Sequence, residues 1–441
     1  MRQDEAIYAV ATPVGGAIAL IRISGRDSIK LISAVFSGKL KHRYMSYGAL
    51  KCGDRVIDMC MCCAFKAPNS YTGEDMAELY VHGGAAVINS ACKLLCDMNI
   101  RPAEPGEFTR RAFINGKVDL SQAEAVMDLI SAKSERSANA ALAQLSGRLR
   151  IDIEKLELEL IDALSGINAA LDYPDELEED VFSMLLDTLH SVHERLTSLS
   201  KQGLMQRVLR EGASVVIMGL PNAGKSALMN AILNEERAIV TSIPGTTRDV
   251  IEEQLIIRGI PIRLTDTAGI RDTDDVVEKI GIDRANRCIK AADLVLIAVD
   301  SSCDMPDELK EMIRGCDPKK SMIVLCKSDI EQKVAKESIA ALTNSEILVS
   351  SALLGEGIEL IKERIALRLC GMDESAYITN MRHVNALLDA KEHIEAAMAE
   401  SEADCIATDI AMALSCLSRI TGREADEEVI DRIFERFCVG K

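Results

Sequence analysis

The chain has 441 residues and 14 cysteines, and its formal net charge is −18. At roughly 100–200 residues per domain, this length predicts two to four domains with buried cores. Hydrophobic residues make up 48% of the chain and charged residues 27%, which excludes a mainly disordered protein. The acidic charge excludes a broadly basic surface for nucleic acid, and the 3% aromatic content argues against a base-stacking platform.

The N-terminal residues, MRQDEAIYAVATPVGG, carry acids where a secretory signal needs bases. The most apolar strand-like run, residues 294–299, is too short to cross a bilayer. The cysteines form no dense spacing pattern of the kind found in secreted disulfide scaffolds. We therefore expect a cytoplasmic protein with reduced thiols and no membrane attachment.

Residues 1–118 hold short apolar runs between turn signals, which predicts a mixed α and β domain with several strands. Residues 119–210 show apolar residues at helical spacings of three and four, and so do residues 371–441. Residues 211–370 alternate strand-like and helical patterns, as a largely parallel sheet with helices on both faces does. The order predicts a helical domain in two segments with an α/β domain inserted between them.

Residues 219–226 read GLPNAGKS and match the phosphate-binding pattern GxxxxGK[ST], between an apolar run and a helical pattern. In such a loop backbone N–H groups bind phosphate oxygens, Lys225 reaches the β- and γ-phosphates, and the Ser226 hydroxyl ligates Mg²⁺. The predicted nucleotide contacts of this loop are Asn222, Ala223, Gly224, Lys225, Ser226 and Ala227.

Three later motifs favour GTP over other nucleotides. DTAG at 266–269 supplies an acid for Mg²⁺ and an amide that senses the γ-phosphate. GTTRD at 245–249 lies where a switch segment belongs, and CKSD at 326–329 lies where guanine is read by a carboxylate. The predicted GTP contacts here are Thr241, Ser242, Ile243, Pro244, Gly245, Thr246, Thr247, Asp266, Thr267, Ala268, Gly269, Lys327, Asp329, Ser351 and Ala352.

Two positions depart from common GTPases. Cys326 stands where the guanine motif normally has Asn. Because a thiol is a weak hydrogen-bond partner, we expect guanine-nucleotide binding to be weaker by roughly 1 kcal/mol. Ile270 cannot orient the attacking water as a Gln does there in Ras-like proteins. Asn222 is either a ligand for a monovalent cation or a loop-stabilising side chain. Glu278 either positions the water or is an ordinary acid at a helix N-terminus, and spacing leaves both questions open.

The motifs together resemble the MnmE (TrmE) family of tRNA-modification GTPases. The resemblance rests on GLPNAGKSALMN, IPGTTRD and DTAGIRDTDDVVEKIGI, and on ATPVGGAIALIRISG, PNSYTGEDMAELYVHGG, PGEFTRRAFINGKVDLSQAEAV and the closing FCVGK. It covers essentially the whole chain. It implies an N-terminal α+β folate-binding-like and dimerisation domain (1–118), a helical domain (119–210 and 371–441) and an inserted Ras-like P-loop GTPase domain (211–370).

The resemblance also implies a function. Family members form homodimers, hydrolyse GTP with Mg²⁺ and are activated by K⁺. With the flavoprotein MnmG, in an expected heterotetramer, they install an aminomethyl or carboxymethylaminomethyl group at C5 of the wobble uridine of certain tRNAs. A tetrahydrofolate derivative, 5-formyl- or 5,10-methylene-tetrahydrofolate, carries the one-carbon unit.

Site residues carried over from the family fall into four groups. Glu278 would position the attacking water, Lys225 would serve catalysis at the phosphates, and Cys438 would be a reactive thiol. The K⁺ ligands would be Asn222, Thr241, Ile243 and Thr246, the Mg²⁺ ligands Ser226 and Thr247, and the folate contacts Arg22, Glu78, Lys117 and Lys441. Without the resemblance, Arg22 and Lys117 would be ordinary charges and Cys438 a small buried hydrophobe.

Several alternatives stay open. A regulatory GTPase that binds RNA or the ribosome would need neither the folate-like block nor the FCVGK tail, and a membrane scaffold would need a lipid or basic amphipathic anchor.

Cys60, Cys62 and Cys63 alternate along a strand pattern and are expected to be structural rather than zinc ligands. The acidic charge predicts weak stand-alone tRNA binding, with phosphate contacts left to MnmG or to a local patch such as Arg148/Arg150 or Arg110/Arg111.

Overall fold

The structure of the protein is a computed structural model that describes residues 5–172, 179–234, 252–266, 287–371 and 377–440. The chain divides into two compact units, each built from separate stretches of sequence. The first consists of Met1–Met127, Gln144–Leu177 and Glu400–Lys441, and the second of Asp128–Ala143 and Glu178–Ala399.

Strands and helices are numbered here in chain order. The strands are β1 (Ile7–Val10), β2 (Ile18–Ser24), β3 (Ser46–Cys52), β4 (Arg55–Phe65), β5 (Met76–His82), β6 (Arg101–Pro102), β7 (Ala213–Met218), β8 (Glu252–Ile257), β9 (Ile260–Asp266), β10 (Leu294–Asp300), β11 (Ser321–Cys326) and β12 (Glu346–Val349). The helices are α1 (Ser28–Val35), α2 (Ala85–Asp97), α3 (Glu107–Ile114), α4 (Leu120–Ser131), α5 (Glu135–Leu145), α6 (Arg148–Asp172), α7 (Glu179–Glu211), α8 (Lys225–Asn234), α9 (Asp307–Arg314), α10 (Lys336–Ala340), α11 (Ile358–Cys370), α12 (Met381–Ala399), α13 (Ala403–Thr421) and α14 (Glu427–Phe434).

The first unit contains a six-stranded sheet in the order β3-β4-β5-β2-β1-β6. Neighbouring strands are antiparallel except for the parallel pair β1–β6. Along β4 the buried Cys60 and Cys62 alternate with the exposed Met59 and Met61, so one face of the sheet covers the core and the other faces outward. Helices α1 and α2 pack on the core side.

Helix α6 packs along α13 in the same unit, and α14 packs on α3. The predicted apolar stripe of α6 is confirmed, because Ile153, Leu156 and Leu160 are fully buried. Ile410 and Leu417 occupy the corresponding buried face of α13. Helices are therefore present in both sequence segments, 119–210 and 371–441, where helical periodicity indicated them.

The second unit contains the other six-stranded sheet, in the order β12-β11-β10-β7-β9-β8. Its pairs are parallel except for the antiparallel hairpin β8–β9. Strands β10 and β11 are apolar and buried along almost their whole length, as central strands covered on both faces must be. The strand runs expected between residues 211 and 370 are confirmed.

The tip of the β8–β9 hairpin is held by the turn between α4 and α5. Arg258 and Gly259 both have positive φ, at 47° and 79°, as a two-residue hairpin turn requires. The Ser134 hydroxyl donates a hydrogen bond to the Gly259 carbonyl, and a Cβ at position 259 would lie 3.0 Å from Arg136 Cβ. The hairpin is thus anchored at the end opposite to Asp266.

Among the described helices, none is both long enough and apolar enough to cross a membrane.

Candidate functional site

The phosphate-binding loop leaves β7 through a glycine that no other residue could replace. Gly219 has φ +151°, and a Cβ there would lie 2.4 Å from the Ala298 carbonyl oxygen of β10. Asn222 and Gly224 also have positive φ, at 63° and 93°. These conformations curl the backbone back so that the loop ends at the N-terminus of α8, where free N–H groups favour anions.

Lys225 is the first residue of α8, and its side chain is bent back over the loop. The ammonium donates hydrogen bonds to the carbonyls of Gly219 (3.1 Å) and Leu220 (2.8 Å). The residue is only 8% exposed, so this charge is held beside the loop rather than in bulk water. An ammonium held there fits the phosphate contact predicted for Lys225, which stays a prediction.

The structure brings two predicted magnesium residues together. The Ser226 hydroxyl, one residue into α8, donates a 2.8 Å hydrogen bond to Asp266 Oδ2 at the end of β9. Asp266 is 5% exposed. A hydroxyl and a carboxylate are hard oxygen donors of the kind Mg²⁺ prefers, so these residues fit the ion.

The residues predicted to read guanine meet after the ends of β11 and β12. The buried Ser351 hydroxyl donates a 2.6 Å hydrogen bond to Asp329 Oδ1. Lys327, in a left-handed conformation with φ +60°, forms an ion pair with Asp300 at the end of β10. Burial alone would raise the pKa of Asp300, but hydrogen bonds from Lys327 and Ser302 hold it below its usual value. The hydrogen bond from Ser351 to Oδ1 thus orients the Asp329 carboxylate, and Oδ2 can accept a hydrogen bond from a ligand.

Cys326 lies directly beneath the phosphate-binding loop. It is 4% exposed, and its Cβ would lie 3.3 Å from a Cβ on Gly224. Burial raises the pKa of the Cys326 thiol to about 11, so the group stays protonated at neutral pH. The Cys326 side chain fills the space between β11 and the phosphate-binding loop.

Part of the predicted nucleotide site lies outside the described residues. Of the K⁺ ligands expected from the resemblance, only Asn222 is described, and of the Mg²⁺ ligands only Ser226. The predicted residues outside the described ranges are Thr241, Ser242, Ile243, Pro244, Gly245, Thr246, Thr247, Thr267, Ala268, Gly269, Ile270, Glu278 and Lys441.

A second polar site lies on the sheet of the first unit. Arg22 on β2 and Glu78 on β5 face each other in register and form a 2.9 Å ion pair. Tyr80, two residues along β5, donates a 2.8 Å hydrogen bond to the other oxygen of Glu78. Burial, followed by this hydrogen bond to Glu78, raises the pKa of Tyr80. Sequence reasoning missed Tyr80, although the period of two along a strand places it on the same face as Glu78.

The Arg22 guanidinium also lies over two aromatic rings and meets the C-terminal segment. Its central carbon is 5.3 Å from the centre of the Tyr71 ring and 5.8 Å from that of Phe108. One nitrogen donates a 3.4 Å hydrogen bond to the Gly440 carbonyl. This contact brings the segment that carries the exposed Cys438 to the Arg22–Glu78 pair.

Lys117 lies apart from the Arg22–Glu78 pair. Its ammonium donates a 3.0 Å hydrogen bond to the Pro68 carbonyl, and its stem packs on Gly73. It therefore supports the same loop that supplies Tyr71 to Arg22. The structure thus brings together Arg22, Glu78 and the C-terminal segment, and it connects Lys117 to them only through that loop.

The suggestion that Arg110 and Arg111 form a basic patch is wrong. Arg111 is 3% exposed and is bonded to Glu107 and Glu74. Arg110 pairs with Asp431 of α14 at 2.6 Å. Neither guanidinium is open to a phosphate backbone. Arg148 and Arg150 are exposed, and Arg150 pairs with Glu154 at 2.9 Å.

The cysteines of β4 belong to the core. Cys60, Cys62 and Cys63 are all buried, and burial raises the pKa of the Cys60 thiol to about 12. Within the described ranges, no cluster of three or more His, Cys, Asp and Glu side chains is placed to hold a metal ion.

Two family models match the chain. The model "GTP-binding protein TrmE N-terminus" matches residues 6–117, and the model "MnmE helical domain" matches residues 120–438. The second match spans both helical segments and the sheet that lies between them in the sequence.

Full-length relatives give the same result. The tRNA modification GTPase MnmE of Bacillus subtilis is 39% identical and aligns with 99% of this chain and 100% of its own length. That of Syntrophomonas wolfei is 41% identical, with 99% of each chain covered.

Among solved structures, the G domain of the T. maritima FeoB iron transporter is 27% identical, with a TM-score of 0.28 over 35% of this chain and 98% of that one. The two family models together cover residues 6–117 and 120–438, and the relatives align with this chain from end to end. The chain belongs to the MnmE family of tRNA modification GTPases.

Proposed function

We propose that this chain is a K⁺-activated GTPase that acts with the flavoprotein MnmG to install an aminomethyl or carboxymethylaminomethyl group at C5 of the wobble uridine of certain tRNAs. Its general activity, GTP hydrolysis in tRNA modification, follows from the family to which it belongs. The finer steps are the proposal. One observation carries it: the same chain holds a guanine-nucleotide loop and, on a separate sheet, an Arg22–Glu78 pair joined to the C-terminal segment.

The nucleotide half of the proposal rests on three charged groups. Lys225 would bind the β- and γ-phosphates, and Ser226 with Asp266 would hold Mg²⁺, which neutralises charge on the phosphates when bound. Asp329, oriented by Ser351, would accept hydrogen bonds from guanine. Asn222, exposed at the loop and in a left-handed conformation, is available as the K⁺ ligand. Glu278 remains our proposal for positioning the attacking water.

The folate half of the proposal rests on the first sheet. A carboxylate such as Glu78 can bond the amino-amide edge of a pterin, and Arg22, which pairs with it at 2.9 Å, orients that carboxylate. Tyr71 and Phe108, beside Arg22, add flat apolar surface. Lys117, Lys441 and Cys438 complete the proposed set, with Cys438 exposed near the site.

A homodimer is supported by the outer face of the same sheet. β3 is an edge strand, and Tyr47 lies opposite Met61 in the β3–β4 pair. Large apolar side chains stay exposed across this face, a pattern typical of a protein interface. They are Ile18 (62%), Tyr47 (64%), Met59 (43%) and Met61 (36%).

Domain roles follow from this arrangement. We assign folate binding and dimerisation to residues 1–118, GTP hydrolysis to 211–370, and the helical connection to 119–210 and 371–441. We propose that the protein acts in the cytoplasm. The net charge is −18, and Arg110 and Arg111 are already paired with carboxylates. We therefore propose that most contacts to the tRNA phosphates come from MnmG, and that Arg148 and Arg150 form the remaining local basic patch.

The decisive experiment removes the gene from its host and analyses C5 of the wobble uridine in bulk tRNA. We expect the modified nucleoside to disappear and to return when the gene is restored. An unchanged nucleoside would falsify the proposal and favour a regulatory GTPase. A companion assay compares GTP hydrolysis in K⁺ and Na⁺, where equal rates would contradict K⁺ activation.

A further inference from the structure

A buried carboxylate orients a histidine at the end of β5. Asp58 Oδ1 lies 2.7 Å from His82 Nδ1, and Asp58 Oδ2 accepts a 2.8 Å hydrogen bond from the His82 backbone N–H. The Asp58 side chain is 8% exposed, whereas that of His82 is 71% exposed. The Asp58 carboxylate is therefore buried and fixed, whereas the His82 ring is open to solvent.

These contacts determine which ring nitrogen of His82 is free. An ionised carboxylate only accepts hydrogen bonds, so Nδ1 must be the donor. In the neutral imidazole the lone pair then lies on Nε2. Within the described part of the chain, Nε2 has no hydrogen-bond partner. His82 thus presents a proton acceptor outward, in the arrangement used by histidine bases that a carboxylate orients.

The backbone that follows His82 is also fixed. A Cβ on Gly83 would lie 2.0 Å from the Gly16 carbonyl oxygen, so only glycine allows the two loops to meet. Gly83 N donates to the Ala17 carbonyl at 3.1 Å, and Gly15 N donates to the Gly83 carbonyl at 3.3 Å. The position of the ring is therefore set from both the carboxylate and the main chain.

His82 shares its strand pair with the proposed folate site. In the β2–β5 register Ile18 faces His82 and Arg22 faces Glu78. The two positions are four residues apart along β5, which is about 13 Å. An elongated ligand held at Arg22 and Glu78 can therefore extend along the strand toward His82.

We propose that His82 is the proton-transfer residue of the one-carbon step and that Asp58 is its positioning residue; the inference rests on the proposed function. In that step a C–N bond at the folate breaks and leaves its electron pair on the folate nitrogen. The carbon forms a new bond to an acceptor nucleophile, which must release a proton. His82 Nε2 takes the proton from the acceptor and returns it to the folate nitrogen, so no oxidant or reductant is consumed.

The first test uses His82→Ala in the full chain, assayed with its flavoprotein partner. We expect tRNA modification to slow by about a hundredfold or more, the usual contribution of general acid–base catalysis. Folate affinity and GTP hydrolysis should stay within about twofold of wild type. Added imidazole should restore part of the lost rate, which it could not do for a purely structural defect. The matched control is His193→Ala, because His193 also pairs with a carboxylate, Glu395, and lies in the second unit, away from the first sheet.

Two results would overturn the inference: a His82→Ala rate within about threefold of wild type, or a loss accompanied by weaker folate binding and no imidazole rescue. A wild-type protein that binds no folate would overturn the proposed function as well, and this outcome is visible before any substitution is made.

A second measurement does not depend on activity. Nitrogen NMR of histidine-labelled protein should show the His82 ring protonated on Nδ1, and Asp58→Asn should change that tautomer while the other histidine signals stay in place. An Nε2-protonated ring in the wild-type protein would contradict the proposal.

Discussion

The Ser351 hydroxyl donates a 2.6 Å hydrogen bond to Asp329 Oδ1 and joins the loops that follow β12 and β11. Both loops carry residues that we propose read guanine, and this bond orients the Asp329 carboxylate. Ser351 is fully buried, so no water can take its place without rearrangement.

We expect Ser351→Ala to weaken GDP binding by about tenfold, because a hydrogen bond to a charged group contributes roughly 1.5–3 kcal/mol and some reorientation will recover part of it. Isothermal titration of GDP measures the change. Ser338→Ala, which removes an exposed serine on α10, is the control and should bind GDP normally. Unchanged affinity in Ser351→Ala would show that Asp329 is oriented by other groups.

Cys326→Asn should tighten GDP binding by roughly 1 kcal/mol, or about fivefold, because an amide can make hydrogen bonds that the buried thiol cannot. Cys326→Ala should bind GDP almost as wild type does, since packing against Gly224 is then the main contribution of the native side chain. If Cys326→Asn gains no affinity, the loop above β11 does not accept the amide.

Glu107→Gln should destabilise the first unit at neutral pH by about 3 kcal/mol. Glu107 is fully buried and accepts hydrogen bonds from Arg101 and Arg111, so the substitution removes the negative charge that both guanidinium groups share and leaves the buried Arg111 with one fewer carboxylate partner. Burial alone would raise the pKa of Glu107, yet bonds from Arg101, the Glu104 backbone and Arg111 hold it below its usual value.

The pH dependence of this effect has a definite sign. A carboxyl group whose pKa is lower in the folded protein than in the unfolded chain stabilises above the unfolded value, and that stability is lost as the pH falls through the folded value. The difference in unfolding free energy between wild type and Glu107→Gln should therefore shrink as denaturant titrations move from pH 7 toward acid. A difference that stays constant over this range would contradict the lowered pKa.

Tyr80→Phe should weaken folate binding several-fold and leave GDP binding unchanged, because it removes only the hydroxyl that bonds Glu78. Fluorescence titration with a reduced folate measures the folate affinity, and isothermal titration of GDP measures the nucleotide affinity. Tyr44→Phe removes a hydroxyl from an exposed tyrosine elsewhere in the unit and is the control. Equal folate affinity in Tyr80→Phe would remove Tyr80 from the site.

Cys438→Ser should abolish tRNA modification and leave GTP hydrolysis intact. The thiol is exposed and lies two residues before the Gly440 carbonyl that Arg22 binds, so its loss should not disturb the core. Parallel assays of hydrolysis and of wobble-uridine modification test this. Loss of both activities would assign Cys438 a structural role.

Sequence patterns predicted the long α6, the buried central strands and the phosphate-binding loop, because helical periodicity, continuous apolar runs and glycine spacing are local properties. Gly48 interrupts the alternation of β3 where the strand passes close to Gly38, so the sequence pattern indicates this strand only weakly. The Lys327–Asp300 and Arg22–Gly440 contacts could not be read locally, since each joins residues far apart in the chain. Tyr80 could have been found from its alternation with Glu78.

The anchored β8–β9 hairpin makes β9 a strand that is engaged at both ends. Ser134 holds the turn at Gly259, and Ser226 meets Asp266 at the other end of the strand. A slip of one residue at the turn would move Asp266 by about 3.3 Å, which is enough to take its carboxylate away from the Ser226 hydroxyl. The position of a proposed magnesium ligand therefore depends on a serine in the turn between α4 and α5, at the opposite end of β9.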